Sequence, residues 1–266
     1  MAVNMAMSGF SPIMLLDCDV EAPNAHLFVK PEFSVRERVA VLKPVFNENT
    51  CTGCGKCREA CRFNAIVIIT GKPILFRELC HSCGGCARMC PVDAIEEVLF
   101  QIGTFESARD HDLSFAHGLL DIGESRGSPL IERVKEEASG YELVLIDAPP
   151  GTSCPMVESV RDTDFTVLVT EPTPFGLHDL RLAVDTVRKL HIPFGVVVNR
   201  ADMGDESVRA FCFKENISVL GEIPFDRRMA VLYSRGDIAS VVLPEYRDTF
   251  SSILERVLCE TKKLHS

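Results

Sequence analysis

The sequence predicts an α/β body with a parallel sheet, into which a small α+β module is inserted. Short apolar segments alternate with segments of helical periodicity along most of the chain, which is typical of a parallel sheet covered by helices. Eight of the twelve cysteines lie together between residues 51 and 90, and the alternating pattern resumes after them. We therefore expect a discontinuous body at residues 1–46 and 99–266 and an inserted module at residues 47–98.

The strands of the body should be covered on both faces, because the strand candidates are short and continuously apolar. These candidates are Ile13–Leu16, Leu143–Ile146, Phe165–Val169, Phe194–Val198 and Val219–Ile223, with Leu113–Leu120 as a weaker one. Helical periodicity predicts helices at Pro129–Ala138, His178–Leu190, Glu206–Glu215 and Arg247–Lys262. Since ligands of such sheets bind at the carboxyl ends of the strands, polar residues there are the first candidates for a site.

The composition is that of a globular protein, and its charge disfavours two classes of partner. The 266 residues are 46% hydrophobic and 25% charged, with a net charge of −10 at pH 7. An acidic surface disfavours nonspecific binding to nucleic acid or to anionic membranes. No run approaches about 18 uncharged apolar residues, and residues 1–9 lack the basic start of a secretion signal. We expect a cytoplasmic protein that binds no nucleic acid and does not insert into a membrane.

The cysteines of the module form two runs with the same spacing. The first run is Cys51, Cys54, Cys57 and Cys61, and the second is Cys80, Cys83, Cys86 and Cys90, followed by Pro91. This spacing holds [4Fe–4S] clusters in bacterial ferredoxins. Two-residue gaps curl the backbone so that three thiolates converge on one cube, and glycines between them permit the tight turns. Structural zinc sites and a disulfide framework are the alternatives, although two identical four-cysteine runs are unusual for zinc.

The fourth cysteine of each run cannot easily close the cube that the first three begin, and in two-cluster ferredoxins it ligates the other cluster. We therefore predict crossed ligand sets for two [4Fe–4S] clusters. Cluster one would use Cys51, Cys54, Cys57 and Cys90, and cluster two would use Cys80, Cys83, Cys86 and Cys61. The apolar segments Ala65–Ile69 and Ala94–Val98 follow the two runs at similar positions, so the module is an internal repeat.

Carboxylates follow two of the predicted strands. Asp17 and Asp19 come directly after Ile13–Leu16, and Asp147 follows Leu143–Ile146. Asp147 is placed like a Walker B aspartate, which holds Mg²⁺ through its water shell. Asp17 is a second candidate for cofactor binding, and Asp19 is placed to orient an attacking water as a catalytic residue. The alternative is that these side chains are only solvated or cap the next helix.

Two further loops complete a candidate nucleotide site. Gly151 offers a backbone N–H near the place of a γ-phosphate. Asn199 and Asp202 stand where a base-recognition motif of the N-K-x-D kind would, with Arg200 in place of lysine. Because these residues follow separate strands, their combination with the three carboxylates favours a nucleotide site over solvated acids.

The four cysteines outside the module are expected to be packing thiols. They are Cys18, Cys154, Cys212 and Cys259. Cys18 and Cys154 neighbour the candidate phosphate loops, so a redox or metal role is the alternative for these two, but free cysteines are more often buried as small hydrophobic residues.

On these residues the chain resembles the MinD/ParA/Mrp superfamily of deviant P-loop ATPases, and within it the branch with an inserted ferredoxin domain. Residues 17–24 are similar to that branch's switch I and residues 147–155 to its switch II. Residues 170–176, 198–202 and 223–226 are similar to its later strand-end loops, the last two near the adenine, which adds Pro224 to the candidate site. The resemblance implies a MinD-type three-layer body that binds ATP and Mg²⁺. It also implies a nucleotide-dependent homodimer, or a heterodimer with a related ATPase, and coupling of the ATPase cycle to the clusters.

The phosphate-binding motif of these ATPases is absent from the sequence as it stands. No G-x-x-x-x-G-K-[ST] pattern occurs, and no deviant version with a second lysine near its start. In the family, the first strand and the phosphate loop come immediately before a helix that resembles Ala2–Met7, and that strand is central in the sheet. Either the chain starts inside a longer protein or ATPase function has been lost, and we expect weak ATP binding and little hydrolysis from this sequence.

Two functions are predicted. The first couples a MinD-type ATP/Mg²⁺ cycle to electron transfer or to maturation of a metallocofactor in a partner protein. Its partners would be redox donor and acceptor proteins or a metallocofactor client. The alternative is a passive ferredoxin-type electron carrier on a scaffold that is deficient in nucleotide binding. A MinD-like positioning switch is a third hypothesis, disfavoured because the short C-terminus lacks an amphipathic basic helix.

Overall fold

The computed structural model describes residues 1–264, which form an α/β body and a smaller cysteine-rich module. The strands are β1 (Ile13–Asp17), β2 (Val35–Phe46), β3 (Ile66–Ile69), β4 (Lys72–Leu75), β5 (Ile95–Ala108), β6 (Leu113–Leu120), β7 (Val144–Asp147), β8 (Thr166–Thr170), β9 (Phe194–Asn199) and β10 (Val219–Ile223). The helices are α1 (Ala2–Ala6), α2 (His26–Val29), α3 (Lys56–Ala60), α4 (Gly85–Arg88), α5 (Ser128–Lys135), α6 (Cys154–Val160), α7 (Pro174–Lys189), α8 (Ser207–Lys214), α9 (Arg227–Arg235), α10 (Ala239–Val242) and α11 (Pro244–Leu264). All six strand candidates are present, including the weaker one, which is β6.

Parallel pairing occupies the centre of the body. β1 pairs in parallel with β6 on one side and with β7 on the other, and β9 pairs in parallel with β8 and β10. The register sets Asp17 beside Asp147 of β7 and beside His117 of β6. Because parallel strands end at the same edge of a sheet, the carboxylates at the ends of β1 and β7 come together there.

The body contains two sheets, whereas the sequence predicts one. The larger sheet has the order β2-β5-β6-β1-β7 and the smaller one has the order β10-β9-β8. Within residues 1–264, β7 and β8 are therefore not paired with each other. Leu145 of β7 and Val167 of β8 nevertheless pack against the same apolar cluster, which includes Val197 and Phe250. Side-chain packing joins the two sheets.

The long strands β2 and β5 are not anticipated by the sequence prediction. They pair antiparallel from Val35 opposite Ser107 to Phe46 opposite Ile95, lead into and out of the module, and make the larger sheet mixed. Much of their length is half-exposed, so their sequence lacks the continuous apolar run that marks a covered strand. The predicted module boundary after residue 98 falls inside β5, so paired strands rather than a linker connect module and body.

Helices of the body cover the sheets at the predicted places. The four predicted helices correspond to α5, α7, α8 and α11, and a 3-10 turn at Glu136–Ala138 completes the segment after α5. Leu130 and Ile131 of α5 are fully buried in one cluster, and Phe250 and Ile253 of α11 are buried in another. Each such side chain contributes about 1.5–3 kcal/mol to the free energy of unfolding. In the described part of the chain no helix is long and apolar enough to cross a membrane.

Candidate metal centres and nucleotide site

Two cavities of the module are each lined by four cysteines. The residues around one cavity include Cys51, Cys54, Cys57 and Cys90. The residues around the other include Cys61, Cys80, Cys83 and Cys86. The last cysteine of each run thus lies with the first three of the other run, which is the crossed arrangement of the sequence prediction.

Left-handed glycines shape both cysteine loops. Gly55 precedes α3 with φ +78° and Gly84 precedes α4 with φ +69°, a backbone conformation that costs other residues roughly 1–2 kcal/mol. Gly53 has φ +69° as well, and a Cβ there would lie 2.5 Å from the carbonyl oxygen of Gly71. The first loop therefore requires glycine at position 53 for conformation and for space.

Backbone amides donate to sulfur at equivalent places in the repeat. The N–H of Ala65 donates to Cys61 Sγ at 3.4 Å, and the N–H of Ala94 donates to Cys90 Sγ at 3.2 Å. Each donor lies four residues after its cysteine, so the two halves make the same contact. Amide donors stabilise negative charge on sulfur, which is one way in which proteins set the potential of an iron–sulfur cluster.

The thiols fit a polynuclear cluster better than they fit the alternatives. All twelve cysteines are free, so no disulfide framework is formed. Among residues 1–264, no group of three or more His, Cys, Asp or Glu side chains is arranged to hold a single metal ion. Zinc needs four ligands within about 2.3 Å of one point. Four thiols around a shared cavity, with amides directed at sulfur, are the donor set that an iron–sulfur cube requires.

Cysteines outside the module divide into two kinds. Cys18 and Cys212 are buried, as expected, and burial raises the pKa of the Cys18 thiol to about 12. Cys154 and Cys259 are exposed, so the expectation of packing thiols is wrong for them. Cys154 begins α6 directly after the solvent-facing loop at residues 150–153, and Cys259 lies on a solvent-facing side of α11.

Asp17 organises the loop that follows β1. Its Oδ1 accepts the N–H of Asp19 at 3.1 Å, and its Oδ2 accepts the N–H groups of Asn24 and Ala25, each at 3.0 Å. Burial raises the pKa of Asp17 to about 6, and the negative charge of Asp147 adds to this, while the three backbone donors act in the opposite direction. Both carboxylate oxygens are thus engaged in holding the switch I-like segment.

Asp147 faces the other charged groups at this edge of the sheet. Burial raises the pKa of Asp147, and the charge of Asp19 adds to the increase, while the nearby amino group of Met1 opposes it. The start of α1 therefore lies close to the ends of β1 and β7. Gly151 follows in the exposed loop after β7, with φ +88°. Asp17, Asp19 and Asp147 thus lie near one another at this edge of the sheet.

The remaining candidates gather at the ends of β9 and β10. Asp202 Oδ1 accepts the N–H of Phe225 at 2.6 Å, which fixes the loop that contains Pro224. The side-chain amide of Asn199 donates to Glu171 Oε1 at 3.4 Å. Asn199, Asp202 and Pro224 are thus neighbours in space, but the contacts of Asp202 show a role in loop structure that its sequence motif does not reveal.

The sequence gives no signal for a group of residues that join the body to the module. Lys43 Nζ lies 2.6 Å from Glu124 Oε2, and both side chains are about 95% buried. Ser125 Oγ donates to the carbonyl of Glu78 at 2.8 Å, and Arg126 Nη1 donates to the carbonyl of Cys80 at 2.9 Å. These partners lie far apart in the chain, so only the fold reveals the contacts.

Comparison with known proteins agrees with both parts of this fold. A model of the 4Fe-4S dicluster domain matches residues 50–95, so the module is an iron–sulfur domain. The protein MJ0578 of Methanocaldococcus jannaschii is 33% identical over 222 residues, which are 80% of this chain and 74% of that protein. The iron–sulfur cluster carrier protein of Pyrococcus horikoshii is 27% identical over 163 residues, or 51% of this chain and 54% of that one.

Among solved structures, the septum site-determining protein MinD of Pyrococcus horikoshii, determined with Mg-ADP, superposes with a TM-score of 0.57 at 16% identity. The match covers 96% of this chain and 86% of the other, so the body has a MinD-like fold. The chain therefore belongs to the family of MJ0578, and it carries a 4Fe-4S dicluster domain within a MinD-like fold.

Proposed function

We propose that this protein holds two [4Fe–4S] clusters and uses a nucleotide cycle of its body to control electron transfer to a partner protein or maturation of that partner's metallocofactor. The observation that carries the proposal is the pair of cavities in the module, each lined by four cysteines. The paired strands β2 and β5 join this module to the sheet whose strands β1 and β7 end at Asp17 and Asp147. The name of the iron–sulfur cluster carrier relative supports a client that receives or shares a cluster.

The crossed cysteine sets would hold the clusters. Each bound [4Fe–4S] group supplies one-electron redox chemistry. The chain's own contribution is to orient eight thiolates, to donate the N–H groups of Ala65 and Ala94 to sulfur, and to limit access of water. Cys54 and Cys83 are exposed, whereas Cys57 and Cys80 are buried, so electrons would enter and leave through the sides of Cys54 and Cys83.

The nucleotide would bind across the ends of β7, β9 and β10. In this proposal Asp147 holds Mg²⁺ through water, with Asp17 fixing the adjacent loop, and Asp19 orients the attacking water. Gly151 would donate its N–H to the γ-phosphate, while Asn199, Asp202 and Pro224 would surround the base. Two such bodies, as a homodimer or as a heterodimer with a related ATPase, would close on the nucleotide and present the clusters to the partner.

A second candidate function is that of a passive electron carrier. One observation favours it: no G-x-x-x-x-G-K-[ST] pattern occurs in residues 1–266. Under this reading the clusters exchange electrons with partners and the body serves as a docking scaffold.

One experiment separates the two functions. The protein is purified and reconstituted without oxygen, its iron and sulfide are counted, and electron or cluster delivery to an acceptor protein is followed with and without MgATP. We expect about eight iron and eight sulfide per chain, and delivery that depends on MgATP supplied at a concentration high enough to fill a weak site. Asp147→Asn should abolish that dependence, while Asp185→Asn, at an exposed position on α7, should not.

The contrary outcomes are distinct. Delivery that is the same with or without MgATP, in wild type and in Asp147→Asn alike, identifies the passive carrier. A colourless protein that contains zinc and no sulfide contradicts both functions.

A further inference from the structure

The loop at residues 121–126, between β6 and α5, links the nucleotide edge of the body to one half of the module. At its base, the N–H of Leu120 donates to the carbonyl of Val20 at 2.9 Å, one residue beyond Asp19. The N–H of Asp121 donates to the carbonyl of Ile102 in β5, also at 2.9 Å. The loop therefore starts from a fixed place beside the switch I-like segment.

The far end of this loop holds the segment that carries the second cysteine run. Arg126 and Ser125 donate to the carbonyls of Cys80 and Glu78, respectively. The buried pair of Lys43 and Glu124 lies behind them, and Lys43 Nζ also lies 3.3 Å from the carbonyl of Arg77. Ser125, Arg126 and Lys43 thus bind the backbone of residues 77–80, and Glu124 pairs with Lys43.

Two buried donors in this region have no hydrogen-bond partner. They are Nε of Arg126 and Oγ of Ser82. Ser82 lines the cavity that Cys61, Cys80, Cys83 and Cys86 surround. Buried donors normally find acceptors because a hydrogen bond left unmade in the interior is unfavourable. The sulfurs of an iron–sulfur cube in that cavity would supply an acceptor to Ser82, and Arg126, which binds the carbonyl of Cys80, brings a positive charge to this side of the module.

The two cavities differ in what holds the segments beside them. Both are lined only by residues between Pro44 and Ile95, but the hydrogen bonds from Ser125 and Arg126 reach the segment of Cys80, which lines the second cavity and not the first. The two predicted cluster sites are therefore equivalent in their cysteine spacing but different in their surroundings. A positive charge next to a cluster favours the reduced form, which carries one more negative charge, and so raises the reduction potential.

We infer that Arg126 is a positioning residue through which the body fixes Cys80 and raises the reduction potential of the cluster held by Cys61, Cys80, Cys83 and Cys86 above that of the other cluster. This inference rests on the proposed function, since it requires two clusters. Each cluster takes up one electron from a low-potential donor without breaking a bond. The electron comes to rest on the cluster at Cys80, so delivery is controlled at the site held by the loop that starts beside the switch I-like segment.

The test is a redox titration with dithionite, monitored by electron paramagnetic resonance, of the anaerobically reconstituted full chain. We expect two potentials in the wild type. Arg126→Gln should lower the higher of the two potentials and leave the lower one unchanged. Arg126→Lys keeps the positive charge but loses the planar guanidinium, so it should lower the higher potential by a smaller amount. Arg88→Gln is the matched control, because Arg88 is a cation on α4 between Cys86 and Cys90 whose charge is screened by solvent at its exposed position. It should change neither potential appreciably.

A second substitution identifies the cluster that responds. Cys54→Ser perturbs only the cluster predicted on the first three cysteines and Cys90, so in that background the higher potential should remain and should still fall with Arg126→Gln. If Arg126→Gln does not fold, Ser125→Ala keeps every charge and removes only the bond to Glu78. It should speed amide hydrogen exchange at residues 77–83, but not at residues 50–57, and lower the same potential slightly.

The inference and the proposed function fail in different ways. The inference is overturned, and the proposed function is not, if two clusters assemble and Arg126→Gln changes neither reduction potential. The same holds if Arg126→Gln and Arg88→Gln change the potentials equally. For Ser125→Ala, unchanged exchange and an unchanged potential likewise overturn it. A wild-type protein that assembles fewer than two clusters overturns both.

Discussion

Asp17 and Asp147 lie side by side at the carboxyl ends of the neighbouring parallel strands β1 and β7, and burial raises the pKa of both. Asp17 binds three backbone N–H groups, whereas Asp147 faces Asp19 and the amino group of Met1. Two adjacent carboxylates thus have different tasks. Asp17 shapes the loop, and in the proposed function Asp147 is the carboxylate that meets a cation.

Substituting Asp147 should change the titration of Asp17. In Asp147→Asn the neighbouring negative charge is gone, so the pKa of Asp17 should fall from about 6, while burial keeps it above 3.8. Carbon-13 NMR of the side-chain carboxyl groups measures this directly. Asp185→Asn is the control and should leave the pKa unchanged. An Asp17 pKa that stays the same in Asp147→Asn would show that the two charges do not interact.

Breaking the buried pair of Lys43 and Glu124 should destabilise the protein strongly. Lys43→Met leaves the Glu124 carboxylate buried without its partner, and we expect the free energy of unfolding to fall by about 3–5 kcal/mol. Removing both charges in Lys43→Met/Glu124→Leu should recover most of that loss. Denaturant unfolding measures the three values. Lys72→Met, which breaks the exposed pair of Lys72 and Glu48 in the module, should have little effect. Equal losses of unfolding free energy in Lys43→Met and Lys72→Met would contradict the role of burial.

His117 should make the protein less stable in mild acid. Burial lowers the pKa of His117 below its usual 6.5, a nearby His26 adds to this, and Glu106, at 3.0 Å from Nε2, opposes it. Because the folded state holds the proton less tightly than the unfolded state, the contribution of His117 to stability is complete above pH 6.5. It is lost as the pH falls through 6.5 towards the lowered value.

The substitution His117→Gln should therefore reduce the pH dependence of the free energy of unfolding between pH 7 and 5. Denaturant titrations at several pH values provide the comparison. His178→Gln, at an exposed position on α7, should preserve the wild-type slope. The other charge in contact with this group is Arg36, which pairs with Glu106 at 3.4 Å and is charged throughout this range. Identical slopes in His117→Gln and wild type would rule out His117 as the source.

Gly53 and Gly55 offer a matched test of the first cysteine loop. Both have positive φ, but a Cβ at position 53 would collide with the backbone of Gly71, whereas a Cβ at position 55 meets nothing within 4 Å. Gly55→Ala should cost roughly 1–2 kcal/mol of conformational strain and keep its iron. Gly53→Ala should lose more stability and bind less iron and sulfide in reconstitution. Similar iron contents in the two variants would contradict the steric argument.

The local pattern of the chain was sufficient for much of this protein. The spacing of the cysteines predicts the module, because convergence of three thiolates depends on turns only a few residues long. Continuous apolar runs likewise predict the central strands from a few neighbouring residues, because each residue of a strand covered on both faces must be apolar. The carboxylates at strand ends follow from parallel pairing. The strands β2 and β5 could not be predicted in this way, because they are partly exposed to solvent and their exposed positions need not be apolar.

The sequence by itself determined the iron–sulfur module, the central strands and the residues at their ends. Tertiary structure alone decided that the sheet divides between β7 and β8, that Asp17 and Asp202 bind their own loops, and that Arg126 reaches Cys80. Lys43 and Glu124 are 81 positions apart, and Cys80 and Arg126 are 46 apart. Contacts between distant segments depend on how strands and loops are brought together in space, and nothing in the spacing of neighbouring residues encodes them.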